Sequence, residues 1–132
     1  MKKNTNITDQ IVHFAVNSSL DSKSNFAAQI LRLSVLDWTA VAIAGCNEPV
    51  SKLTRELERE TGGSADSVVI GMTARLPARA AAFVNGVAGH ALDYDDTHFE
   101  SFGHPSAVVV PAALAVADKV KCAPEKFYEA TL

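Results

Sequence analysis

Five prolines punctuate this chain, at positions 49, 77, 105, 111 and 124, and each lies at or inside a stretch whose apolar residues recur at helical spacing. A proline at the first helical position loses nothing, because its missing N–H is one that the helix cannot satisfy anyway. Such punctuation leaves little room for long strands and points to a succession of helices. Pro49 opens a short amphipathic helix with Val50, Leu53 and Leu57 on one side. Its other side (Lys52, Arg55, Glu56, Glu58, Arg59 and Glu60) reads as a solvated face. Pro77 starts a longer helix running through Ala80-Ala81-Ala82-Phe83 towards Leu92. Asn85-Gly86 could form a hairpin turn, but its alanine-rich flanks favour helix. The small residues Ala82, Gly86 and Gly89 would let another helix approach closely. Pro105 precedes a buried helix from Ala107 to Lys119, in which Pro111 is either a kink or the true start. Pro124 begins a last segment that is still helical in pattern at Leu132.

Two helices precede these without a proline. Thr8 or Asp9 can cap the first, which carries Ile11, Val12, Ala15 and Val16 on its apolar side. The turn-forming run Ser18 to Ser22 leads into a long helix from about Ser24 to Ala44, with Phe26, Ile30, Leu33, Leu36 and Ile43 at helical spacing. The end of that helix, Ala40-Val41-Ala42-Ile43-Ala44, is apolar all round and predicts burial between other helices, with Gly45 as its stop. Gly62-Gly63 ends the helix opened by Pro49, and Ser67 to Gly71 reads as one short strand or extended linker. No internal repeat, low-complexity tract or interdomain linker interrupts the pattern. The expected fold is an all-α, multi-helix bundle with at most one short strand.

Composition narrows the function classes. With 132 residues, 48% hydrophobic and 20% charged, the chain has the make-up of a single globular domain. A net charge of −3 and the absence of a Lys/Arg stripe argue against nucleic acid as a partner. The start, Met1-Lys2-Lys3-Asn4-Thr5-Asn6, lacks the apolar core of a secretory signal. The longest unbroken apolar run, Ala107 to Ala117, is far short of the roughly 20 residues of a membrane span. Cys46 and Cys122 have neither metal-ligand nor redox spacing and read as two free thiols in a reducing compartment. A soluble, cytoplasmic protein without membrane contact is expected.

One stretch differs in kind. His90-Ala91-Leu92-Asp93-Tyr94-Asp95-Asp96-Thr97-His98 is followed by His104-Pro105-Ser106, so three of the four histidines fall together with three aspartates. Loops held between rigid elements are where binding and catalytic groups concentrate. A metal site is one reading, but the spacing fits neither the helical zinc pattern His-x-x-x-His nor a calcium loop. A structural role, with Asp95 or Asp96 capping or pairing, is a second reading and the favoured one for Asp95, Asp96 and His98 individually. Acid–base chemistry on an anionic substrate is the third. His104 stands just before a helix whose free N–H groups would welcome a carboxylate. Asp93 and Thr97, four apart, would share a face if the preceding helix reached them.

The run from Leu76 to Thr97 resembles the signature of the MmgE/PrpD family, in which an AAFxNG stretch leads into H-x-LDxDDT. His104-Pro105-Ser106 is similar to the HPS motif that opens the family's next buried helix. Leu36-Asp37 with Ala42-Ile43-Ala44-Gly45 resembles its helix ending in AG. The family includes 2-methylcitrate dehydratases, cis-aconitate decarboxylases and iminodisuccinate epimerases. The resemblance implies a large helical domain with a smaller α/β lid, commonly assembled as dimers. It also implies lyase or isomerase chemistry by proton transfer next to a carboxylate, without metal or organic cofactor. It places Asp93, Thr97 and His104 in the active site, with His104 the proton donor or acceptor. His90 joins Asp93, Thr97 and His104 as a substrate-binding candidate. Family members are several times longer and draw further active-site His and Lys residues from later segments. Residues 1–132 are therefore expected to be the N-terminal part of such a helical domain and inactive alone. The alternative is a non-catalytic remnant or assembly module, associating through uncovered helical faces.

Overall fold

The computed structural model describes residues 6–17, 25–100 and 102–131. Six helices follow in order: α1 (Ile7–Asn17), α2 (Asn25–Gly45), α3 (Pro49–Thr61), α4 (Ala78–His90), α5 (Pro105–Val120) and α6 (Pro124–Thr131). Between α3 and α4 lies a two-stranded antiparallel ribbon, β1 (Ser67–Val68) paired with β2 (Arg75–Leu76). The all-α reading holds. The extended segment expected at 67–71 narrows to two residues and finds a partner two residues long, which no strand-like pattern announced.

α4 is the hub, packing on α2, α3 and α5. Its inward residues are small, and they divide the core into two clusters. Ala80, Ala81 and Val84 meet Val69, Leu76 and Ala115 on one side. Ala88 meets Trp38, Ala42, Cys46 and Val110 on the other. Small residues let backbones approach in place of interlocking large side chains. A Cβ on Gly89 would overlap the Trp38 indole, and one on Gly45 would overlap the Ala88 carbonyl. Asn85, within the AAFxNG stretch, is buried and structural. Its Oδ1 accepts from the Ile70 amide at 2.9 Å and its Nδ2 donates to the Val68 carbonyl at 3.0 Å, fastening the ribbon segment to α4. Buried polar groups need such partners, and here the backbone of β1 and of the residues just after it supplies them.

Several local expectations change. Asn6, rather than Thr8 or Asp9, caps α1, its Oδ1 accepting from the Thr8 amide at 2.6 Å. No residue of α1 is buried, so its apolar side contributes nothing to the core. The turn expected at Ser18 to Ser22 lies outside the described residues. In α2 the stripe Phe26, Ile30, Leu33, Leu36 and Ile43 is exposed, and Leu31, Trp38, Val41 and Ala42 face inward. α2 is long and apolar enough to cross a membrane by length and composition, a property hidden from a search for unbroken apolar runs because Arg32 and Asp37 lie within it.

α3 packs neither by its apolar side nor by most of its charged one. Val50, Leu53 and Leu57 are exposed, and so, as expected, are Lys52, Glu56, Arg59 and Glu60, whereas Ser51, Thr54 and Glu58 are buried. This packed face is polar, and its groups are satisfied. Ser51 Oγ donates to the Gly45 carbonyl at 2.8 Å, Arg55 Nη1 to the Cys46 carbonyl at 2.9 Å, and Arg79 pairs with Glu58 at 2.9 Å. Pro111 lies inside α5, which begins at Pro105. The Ala107 carbonyl, deprived of its bond by Pro111, lies against Gly86 of α4, where a Cβ would sit 3.1 Å from it.

Candidate functional site

α4 ends at His90 and α5 begins at Pro105, so the unusual His/Asp stretch forms the connection between two central helices. Asp93 turns it: its amide donates to the His90 carbonyl at 3.1 Å, and its φ of 55° is left-handed, a conformation that Asp tolerates better than most residues. That reversal brings Asp95 back to His90. Further on, His98 and Gly103 exchange backbone hydrogen bonds of 2.9 and 3.4 Å that close the loop carrying the exposed Phe99 and Phe102.

Asp96 occupies the N-terminus of α5. Its two carboxylate oxygens accept from the Ser106 amide at 3.1 Å and the Ser106 hydroxyl at 2.7 Å. A carboxylate there answers both an unpaired amide and the helix dipole. The sequence reading reserved this place for a substrate carboxylate, but the Ser106 amide already serves Asp96. His104 is the N-cap residue by position and makes no capping bond with its side chain.

Asp95 has a side chain with 0% exposure. His90 Nδ1 lies 3.0 and 3.1 Å from its two oxygens. On the other side His104 Nδ1 is 3.5 Å from Asp95 Oδ2, near but not aligned for a hydrogen bond, and this buried nitrogen has no other partner among the described residues. The two imidazoles stand 4.8 Å apart at a 56° tilt. His104 Nε2 is 3.8 Å from Oδ1 of Asp93, whose side chain is 78% exposed. A chain Asp93–His104–Asp95–His90 results, buried at Asp95 and open at both its Asp93 and His90 ends.

Three of the four sequence-selected residues, His90, Asp93 and His104, therefore converge. Thr97 is exposed beyond them, and because α4 stops at His90 it shares no helical face with Asp93. Asp95 is the member that spacing alone did not single out, since no helical or strand register relates position 95 to positions 90 and 104. Donor atoms of His90, Asp93, Asp95 and His104 lie within 4.8 Å of one another. A divalent cation is thus the competing use of the same groups. His90 and His104 also line a cleft of about 490 Å³ between α4 and α5, walled by apolar residues including Phe83, Val87, Val108 and Pro111. This is the size and character of a small-molecule pocket. Imidazoles beside an apolar cleft, one backed by carboxylates at both ring nitrogens, can exchange protons with a bound molecule.

Comparison with known proteins bears out the family resemblance. Residues 9–132 match the MmgE/PrpD N-terminal domain. The human protein "Cis-aconitate decarboxylase" is 34% identical over 92 residues, covering 69% of this chain and 19% of the relative. A protein of the same name from Aspergillus terreus is 28% identical over 112 residues, covering 85% of this chain and 23% of the relative. The matched region thus spans about a fifth of the length of these relatives. No solved structure matches.

Proposed function

The chain belongs to the MmgE/PrpD family, and from that premise we propose that it is the N-terminal part of the helical domain of an enzyme moving a proton at the carbon next to a carboxylate. The substrate class is a small di- or tricarboxylic acid. The reaction is a decarboxylation, dehydration or epimerisation, and the names of the matched relatives favour the first. The observation that carries the proposal is His104 at the edge of the apolar cleft, with Asp93 beside its Nε2 and Asp95 beside its Nδ1.

In this mechanism His104 Nε2 exchanges the proton with substrate carbon. Asp93 steadies the imidazole from its exposed end, and Thr97 and His90 hydrogen-bond the substrate. Every ion pair of the cluster among the described residues joins a carboxylate to a histidine. A substrate with two or three carboxylates therefore needs cationic groups beyond these side chains. Such groups, and a lid that excludes water and so strengthens each contact, would come from the rest of a longer protein, assembled as a cytoplasmic dimer. Alone, residues 1–132 are expected to be inactive. His104→Ala in a protein carrying the whole enzyme should lower kcat at least about 100-fold, the usual worth of a general acid or base. Unchanged turnover would remove His104 from the chemistry.

A second reading is favoured by one observation. Apolar side chains of α2, α3 and α5, among them Leu36, Ile43, Leu53, Leu57, Val116 and Val120, are exposed. On this reading the chain is a non-catalytic module that associates through those faces.

A further inference from the structure

We infer that Asp95 is a positioning residue that fixes the hydrogen-bonding orientation of both site histidines through their Nδ1 atoms, so that each presents Nε2 to the cleft. The inference rests on the proton-transfer reading above, and it names what makes His104 competent for it. Three observations converge on Asp95. Its carboxylate is wholly buried, so water does not compete for it. It receives His90 Nδ1 at 3.0 Å. It is also the acceptor that stands 3.5 Å from His104 Nδ1, a buried nitrogen without another partner.

A buried carboxylate without donors is strongly disfavoured, and a buried imidazole nitrogen without a partner likewise costs free energy. Both demands are met when each ring carries its proton on Nδ1 and turns it towards Asp95. Each Nε2 is then the basic nitrogen. For His104 this is the atom 3.8 Å from Asp93. For His90 it is the atom left to the cleft that both rings line. Were His104 protonated on Nε2 instead, its bare Nδ1 would face the Asp95 oxygens, lone pair against lone pair. The second ring of a histidine pair is thereby recruited: His90 holds the carboxylate in place and supplies a second site for a proton. Asp93, 3.8 Å from Nε2 and 78% exposed, is left to water while that nitrogen is bare and becomes its partner once Nε2 takes up a proton.

The tautomers can be read directly in the chain of 132 residues, without turnover. Long-range 1H–15N correlation of imidazole nitrogens is recorded while pH is raised until each ring loses a proton. The nitrogen that loses it is expected to be Nε2 in both His90 and His104, with exposed His13 as the internal reference. In Asp95→Asn, and independently in Asp95→Ala, both rings should drift towards the His13 pattern. His90→Asn, whose side-chain amide can keep the Nδ1 donor to Asp95, should leave His104 as in the parent chain, which tests the Asp95–His104 contact even if the Asp95 variants do not fold. Loss of the proton from Nδ1 of His104 in the parent chain overturns the inference, as does an unchanged pattern in a folded Asp95 variant. In a protein carrying the whole enzyme, Asp95→Asn should lower kcat at least tenfold with little change in KM. Unchanged turnover in His104→Ala, alongside the expected tautomers in the parent chain, would instead sink the proton-transfer reading and leave the Asp95 geometry standing.

Discussion

At the scale of single residues, the motif from Leu76 to Thr97 divides into two kinds of work. His90, Asp93 and Asp95 build the His/Asp chain with His104, whereas Asn85 serves the fold. Replacing Asn85 with Ala would leave the Ile70 amide and Val68 carbonyl without their partner. Losing such buried bonds costs about 1–3 kcal/mol, so denaturant unfolding of Asn85→Ala should show destabilisation of roughly 2 kcal/mol. A variant as stable as the parent would mean that water replaces the amide at no cost. The Asn85-Gly86 pair also shows why dipeptide signals need context: a turn signature in strands is here a buried helical hydrogen-bonding group.

At the scale of elements, close helix approach and the docking of the ribbon decide the packing. Gly89→Ala would gain at most about 1 kcal/mol of helix propensity. Against that, a Cβ at position 89 overlaps the indole of Trp38, which is buried with its N–H unpaired among the described residues. Overpacking of this kind costs about 1–3 kcal/mol, so a lower melting temperature is expected, and an increase would show that α2 can yield. The ribbon is held to α5 by charge. Asp118 receives Arg75 at 2.6 Å and the Val68 amide at 2.7 Å. The Arg75 guanidinium, helped by that amide, holds the Asp118 carboxyl below its ordinary value of 3.8. Lys119 does the same for the half-buried Asp66, with Ser64 contributing. A carboxyl whose value is lowered on folding stabilises above its unfolded value and loses that contribution as pH falls through the folded one. The Val68 amide resonance should therefore hold steady from neutral pH down to about 4 and shift below 3.8. A midpoint above that value would contradict the Arg75–Asp118 pairing.

At the scale of the whole molecule, the large amount of exposed apolar surface is the dominant fact. α3 turns its three large apolar residues outward, and α2 and α5 each carry an outer apolar stripe besides the inner one. Contiguous apolar surface of this kind marks interaction sites. The isolated 132 residues should self-associate at high concentration, as read by light scattering, and Leu53→Glu with Leu57→Glu should reduce the association without loss of helicity. A monodisperse monomer for the parent chain would show that these faces are tolerated by water and would weaken the module reading.

The helix positions, their proline starts, the glycine ends at 45 and 62, and the clustering of His90, Asp93 and His104 were determined by the sequence itself. These depend on local chemistry: a missing amide, a left-handed glycine at position 62, or a recurrence every three to four positions. Which face of each helix turned inward was decided only in three dimensions. α3 buries Ser51 and Glu58 because α2 and α4 offer them partners, and no periodicity carries the position of a partner on another element. The same holds for Asp95, whose importance arises where a left-handed turn at Asp93 returns the chain to His90 and the start of α5 delivers His104 to the same carboxylate.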